Sequence, residues 1–282
     1  GNNVTVKILT DSTCDLPVEI VKALDIKVIP LYIHIGNENY ADGVDITREE
    51  FYEKLRYFEN HPTTAVPSPA KFHALYEAMA EEGASEILSI HISETLSGTV
   101  NVARVSAGEM ASVPVTVLDS GNLSMGTGFL VQTAAELARM GKTVAEILPV
   151  LEGQIRRTHV WAALDTLEFL RRSGRMNRAI STIGEILQIK PMLKMHNGVS
   201  GAERVRTRKA AVARLTEMLQ TLAPFEKLAF LHSNALDQAH ELHEKMKHLV
   251  PESGALFGVV NPVLGAHLGP GVVGFCAVTR EE

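Results

Sequence analysis

Two hydroxyl-bearing segments, one histidine and one arginine carry the residue types from which this chain can build an anion site. Glu94-Thr95-Leu96-Ser97-Gly98-Thr99 joins an apolar strand to a helical pattern, so backbone N–H groups and the positive end of a helix dipole converge at its start. An oxyanion suits such a point. Ser97 adds a hydroxyl donor, and Gly98, with no Cβ, lets a ligand approach the backbone closely. The competing account is that Ser97 only caps the helix. Thr63-Thr64-Ala65-Val66-Pro67-Ser68-Pro69 is a proline-held loop that also enters a helix and can bring a second hydroxyl to the same end of the sheet, unless it serves turn chemistry alone.

His267 lies in Gly265-Ala266-His267-Leu268-Gly269-Pro270-Gly271, which reads as a glycine-rich loop ahead of an apolar strand. An imidazole there can donate to a carboxylate or phosphate near neutrality, or simply be solvated. Arg175 closes the stretch Leu164 to Arg175, which follows a strand and turns at Gly174. Its guanidinium is a fork of donors matched to carboxylate or phosphate, whereas Arg171 and Arg172 read as surface charges.

Other suggestive patterns fail on context. Gly269-Pro270-Gly271-Val272-Val273-Gly274 fits a dinucleotide fingerprint but precedes its strand instead of following one. Gly141-Lys142-Thr143 lacks the earlier glycine of a P-loop, since Glu136 stands there. His240 and His243 fall outside the apolar stripe Ala235, Ala239, Leu242, Met246 and Leu249, which makes a solvated face the better reading than a metal site. Cys14 and Cys276 have neither metal nor redox spacing, so a reduced, packed thiol is expected at each and no cofactor or metal is implied.

The elements that must position these groups alternate. Val4 to Leu9 reads as a strand, Val18 to Leu24 as a helix, and Val28 to Ile35 as a second strand. Thr47 and Glu50 form a capping box for a helix to about Phe58, and Ser68-Pro69 starts another. Strands at Glu86 to Ile92 and Val115 to Leu118 alternate with helices from about Ser97 and Ser124, the rhythm of a parallel sheet flanked by helices. A second capping box, Thr143 and Glu146, opens a helix that Pro149 should kink. Beyond Thr158 the pattern changes to local pairing: His196-Asn197-Gly198 between Met192–Met195 and Val199–Val205 is a hairpin signal. Helices over about Thr207 to Leu222 and Leu236 to Leu249 interleave with strands at Leu228 to His232, Leu256 to Val260 and Val272 to Val278. The expectation is an α/β lobe over residues 1–157, an α+β lobe over 158–282, and a ligand cleft between them.

Bulk properties fit this scheme. A chain of 282 residues with 45% hydrophobic content is long enough for two packed lobes. No apolar run reaches membrane-spanning length and no signal-peptide pattern opens the chain, so a cytoplasmic location is the expectation. A net charge of −6 disfavours nucleic acid, yet Arg156 to Arg214 holds 13 Lys/Arg against four Asp/Glu. That basic segment is either a set of solvated faces or a docking surface for an acidic partner, with Arg206 and Arg208 as its expected exposed members.

In their order these pieces resemble the DegV family of fatty-acid-binding proteins from Val4 to Val278. The resemblance rests on Thr10-Asp11-Ser12-Thr13, Thr63-Thr64, Leu96-Ser97-Gly98-Thr99, Asp119-Ser120, Ser173-Gly174-Arg175, Lys190-Pro191 and Ala266-His267. It departs at Ala65-Val66, where members often carry Ser-Gln. The resemblance implies a long-chain fatty acid between two lobes, its carboxylate held by Thr64 (or Thr63) and Ser97 with Gly98, Arg175 and His267 near. It also implies a carrier rather than an enzyme, presenting the acid to a separate fatty acid kinase and holding the acyl phosphate product. Two other readings use the same residues. Ser97 as nucleophile with His267 as base would make an acyl hydrolase, although no Gly-x-Ser-x-Gly elbow occurs. Ser97-Gly98-Thr99 at a helix start would also suit a phosphosugar-binding protein or isomerase.

Overall fold

The computed structural model describes residues 4–55, 57, 60–176 and 190–282. Alternation of strand and helix in the first half gives a four-stranded parallel sheet of order β2-β1-β6-β7, built from β1 (Val6–Asp11), β2 (Lys27–Ile29), β6 (Glu86–His91) and β7 (Val115–Asp119). Helices α1 (Val18–Ala23), α3 (Pro69–Glu81), α4 (Thr99–Gly108), α5 (Met125–Arg139) and α6 (Val144–Arg156) accompany it. Helices α3 and α6 start on the expected caps. Ser68 accepts from Lys71 N with Pro69 in the first turn, and Thr143 and Glu146 complete a reciprocal box. Helix α6 runs on either side of the exposed Pro149.

One expected strand is two. Pro30 interrupts Val28 to Ile35, because a proline cannot donate to a ladder, and the chain changes sheets there. Its second part, β3 (Tyr32–Ile35), pairs antiparallel with β4 (Glu38–Ala41) and β5 (Thr63–Ala65) in a separate three-stranded sheet. Helix α2 (Arg48–Leu55) lies between β4 and β5, with Glu50 N donating to Thr47 Oγ1.

The remaining strands form a six-stranded mixed sheet, β10-β9-β8-β13-β11-β12. These are β8 (Thr158–Ala163), β9 (Lys190–His196), β10 (Val199–Val205), β11 (Phe225–His232), β12 (Leu256–Val259) and β13 (Val273–Thr279). Asn197 and Gly198 both take positive φ, 48° and 79°, which is what a two-residue turn matched to strand twist requires. Helices α7 (Glu168–Arg172), α8 (Arg208–Leu222), α9 (Leu236–Met246) and α10 (Pro262–Leu268) complete the chain. Among the described residues, all strands of the two smaller sheets precede Thr158 and all strands of the larger one begin at or after it.

Period-two alternation divides the core. On β13, Phe275 and Ala277 face a cluster with Trp161, Phe225 and Phe230 beneath α8 and α9, while Cys276 and Val278 face the opposite way. That opposite cluster is shared between lobes: it joins Ile8, Leu88, Ile90 and Phe129 to Val160, Met195, Leu231 and Leu264. The seam is therefore hydrophobic core, and the site lies in it.

Candidate functional site

A cavity of about 190 Å³ opens in this seam. Fourteen of its 22 lining residues are apolar side chains drawn from both lobes, so its dominant affinity is for hydrocarbon. Thr64, Ser97, Gly98, Arg175 and His267 all line it.

Strand geometry separates the two threonines. On β5, Thr64 pairs with Ile33 and turns into the cavity, while Thr63, paired with His34, is exposed and takes no part in the lining. Thr64 Oγ1 lies 3.0 Å from His267 Nε2. His267 does not sit in a loop as its glycine-rich surroundings suggest; it is on α10. Asn261 accepts from Leu264 N and Pro262 occupies the first helical position, a start signal outweighed in the sequence by the glycines that follow. Those glycines serve close packing instead. A Cβ at Gly265 would come within 2.4 Å of the Tyr52 hydroxyl, and one at Gly269 within 2.4 Å of the Phe169 ring. His61, which the sequence did not single out, places Nε2 2.8 Å from Ala266 O and supports the same turn. Burial holds its imidazole pKa below the usual value.

Ser97 both holds the start of α4 and lines the cavity. Its Oγ accepts from Thr99 N at 3.2 Å, lies 2.8 Å from Thr99 Oγ1 and still borders the cavity. Gly98 is exposed at φ −76°, and a Cβ there would meet no protein atom within 4 Å. Protein packing therefore does not demand glycine at 98. Arg175 follows the left-handed Gly174 (φ 71°) and spends one N–H on Ser173 O at 3.0 Å. The rest of its fork remains for other acceptors.

Several residues of the recurring motifs are structural. Asp11 accepts from Thr13 N (2.9 Å) and the Thr13 hydroxyl on one oxygen, and from His91 Nδ1 (2.9 Å) and Ile92 N (3.2 Å) on the other. Burial opposes its charge, but the bonds from His91 and Thr13 outweigh it and hold the carboxyl below its usual range. His91 Nε2 lies 2.5 Å from Ser89 Oγ, which accepts from Tyr76 OH. This Ser-His-Asp series is fully buried and no substrate reaches it. Ser12 Oγ accepts from Leu31 N and so sets a residue of the cavity wall. Asp119 Oδ1 accepts from Gly121 N, and Ser120 Oγ lies 2.9 Å from Thr127 Oγ1. The side chain of Lys190 lies outside the described residues.

The basic segment is partly consumed by internal pairs. Arg214 grips Glu203 through two bonds of 2.8 and 3.0 Å, Arg157 meets Glu226 at 2.5 Å and Arg172 meets Glu168 at 2.6 Å. Arg206 is exposed, as expected. Arg208 is not: it is half-buried because its Nη2 donates to Gly271 O at 2.7 Å. Arg178 and Glu185 fall outside the described residues. Among the described residues no group of three His, Cys, Asp or Glu could hold a metal, and no helix is long and apolar enough to cross a membrane. His240 is exposed and His243 packs edge-on against Phe257. Both cysteines are free and buried, with burial pushing the Cys14 thiol up to about 12.

Fold and site together define a two-lobed α/β protein with an apolar ligand cavity in the seam and a cluster of neutral and cationic donors along it. The chain belongs to the DegV family, described as uncharacterised proteins, whose model matches residues 5–280. It is 37% identical over 281 residues to a DegV domain-containing protein of Streptomyces coelicolor, covering 98% of this chain and 99% of that one. Among solved structures it is similar to a DegV family protein from Thermus thermophilus described for fatty acid binding, at 34% identity and a TM-score of 0.89, covering 98% and 100% of the two chains. It is also similar to DegV from Bacillus subtilis, described as a fatty acid binding protein, at 29% identity and a TM-score of 0.89 with 98% and 100% coverage.

Proposed function

We propose that this protein carries a long-chain fatty acid in the interlobe cavity, with the carboxylate at Thr64, Ser97, Gly98, His267 and Arg175. The observation that carries the reading is the Thr64–His267 contact inside a cavity whose lining is otherwise mainly hydrocarbon. The fatty-acid-binding relatives support the ligand class. Each buried methylene contributes roughly 0.8 kcal/mol, so a tail of about 16 carbons supplies on the order of 13 kcal/mol before ordering costs, and the tail dominates affinity. The polar cluster then selects the head group.

The same donors suit a carboxylate and the acyl phosphate made from it, since both present oxygen acceptors. In this reading the protein is a cytoplasmic carrier that presents its acid to a separate fatty acid kinase and holds the acyl phosphate, with Arg206 in the surface that meets the kinase. Among the described residues Ser97 contacts Thr99 and His267 contacts Thr64, an arrangement that disfavours the nucleophile–base pair of the hydrolase reading. The phosphosugar reading is disfavoured by the apolar lining. Mass spectrometry of organic extracts from purified protein tests the proposal. A co-purifying C14–C18 acid is the expected result; absence of lipid together with no uptake of added fatty acid would overturn it.

A further inference from the structure

Helix α10 brings Val263, Leu264, His267 and Leu268 to the cavity, yet it is only seven residues long. Its orientation depends on how its first turn is held. The segment entering it, Val259-Val260-Asn261, belongs to the second lobe and is gripped by side chains of the first. Tyr52 OH donates to Val260 O at 2.7 Å, and Arg48 Nη1 donates to Val259 O. Asn261 Nδ2 donates to Asp15 Oδ1 at 3.0 Å while Asn261 Oδ1 accepts from Leu264 N at 2.9 Å. Asp15 is itself fixed by Ser124 Oγ at 2.5 Å and Arg48 Nη1 at 2.9 Å. Both Asp15 and Asn261 are buried.

Capping alone does not explain the amide. Asp caps a helix as well as Asn, but an Asp at 261 would turn a second carboxylate toward Asp15 where the amide now donates a proton. The residue is matched to its partner across the lobes. His267 lies six residues on, about 9 Å along the helix, so a tilt of the first turn moves the imidazole relative to Thr64, which belongs to the other lobe. We propose that Asp15 and Asn261 are positioning residues: their hydrogen bond sets α10 against the first lobe and thereby the Thr64–His267 geometry that recognises the ligand head group.

The idea rests on the carrier reading for its ligand, but one of its readouts does not. Asn261→Asp keeps the helix cap and breaks the contact; adding Asp15→Asn restores a donor opposite an acceptor. With palmitic acid and its methyl ester as probes, the acid-over-ester affinity ratio should fall tenfold or more in Asn261→Asp. It should return to within about threefold of wild type in the double variant. In ligand-free protein the His267 ring resonances should shift in the single variant and move back in the double. A fall of both probes by one common factor would overturn the proposal, as would failure of the second substitution to restore the ratio and the resonances. If wild type binds neither probe while the resonances respond as described, the positioning stands and the carrier reading falls.

Discussion

Thr64 Oγ1 lies 3.0 Å from His267 Nε2, joining strand β5 of one lobe to helix α10 of the other. With its proton on Nε2, the imidazole donates to the threonine oxygen and leaves the Thr64 O–H to point at an acceptor in the cavity. A carboxylate oxygen is such an acceptor, and hydrogen bonds in series polarise one another. The pair therefore joins the lobes, and in the carrier reading the same contact would recognise the head group.

Removing one hydroxyl should weaken acid binding without unfolding the protein. Thr64→Val keeps the volume on β5, and Ser97→Ala removes a hydroxyl at the start of α4. A hydrogen bond to a charged group is worth about 1.5–3 kcal/mol, so each variant should lose on the order of 10- to 100-fold in affinity. Displacement of a fluorescent fatty acid measures this. Unchanged affinity in both would assign the hydroxyls to local structure only.

Much of this arrangement is legible in the sequence where it is local. Ser68-Pro69, Thr143 with Glu146, and Asn197-Gly198 each encode their own turn or cap within a few residues, and each forms. The bond of Ser97 to Thr99 N at the start of α4 is local in the same way. The helix under His267 is misread because Gly265 and Gly269 look like loop composition, whereas their cause is the distant Tyr52 and Phe169 packed against them. Asn261 meets Asp15 across 246 positions, and no periodicity carries such a pairing. Arg208 is taken for a surface charge because Gly271, its acceptor, is 63 residues away.

Two buried groups should give stability opposite pH dependences between about pH 4 and 7. His159 stacks on His196 at 3.9 Å between ring centroids, and burial, then the neighbouring imidazole, pushes it down to about 4. A histidine whose folded pKa is depressed stabilises fully above its unfolded value near 6.5 and loses that contribution as pH drops toward 4. Asp42 behaves oppositely. Burial pushes its carboxyl up to about 7, against the pull of Arg48, and Oδ2 is buried without a hydrogen-bond partner. Its contribution is full below pH 4 and is lost as pH rises through 7. Chemical denaturation should show His159→Gln flattening the acid limb between pH 6.5 and 4. Asp42→Asn should raise stability at pH 8 by on the order of 1 kcal/mol or more relative to pH 5. Parallel curves for wild type and both variants would refute the assignment.

Gly265→Ala should be costly although alanine favours helices. The new Cβ would lie 2.4 Å from the Tyr52 hydroxyl, which also donates to Val260 O. Either α10 or the ring must move, at about 1–3 kcal/mol for overpacking. Tyr52→Phe removes the clashing oxygen, so the double variant should be less destabilised than the sum of the singles. Additive losses in a thermal double-mutant cycle would show that the contact is not the cause.

The basic segment leads to the last prediction. Arg157, Arg172 and Arg214 pair with carboxylates of their own and Arg208 holds the Gly271 carbonyl, so reversing these would also break internal contacts. Arg204, Arg206 and Lys209 are exposed around the turn from β10 into α8. Arg206 and Lys209 flank the start of that helix, where cations oppose the dipole and gain nothing locally. Local stability does not call for positive charge there; an acidic partner would. Reversing Arg206 and Lys209 to Glu should leave fatty acid affinity unchanged and the unfolding midpoint no lower than in wild type, but slow phosphoryl transfer by a fatty acid kinase at least tenfold at low salt. Transfer with wild type should itself fall as salt screens the attraction. Equal rates for wild type and variant at low salt would make this turn an ordinary solvated surface.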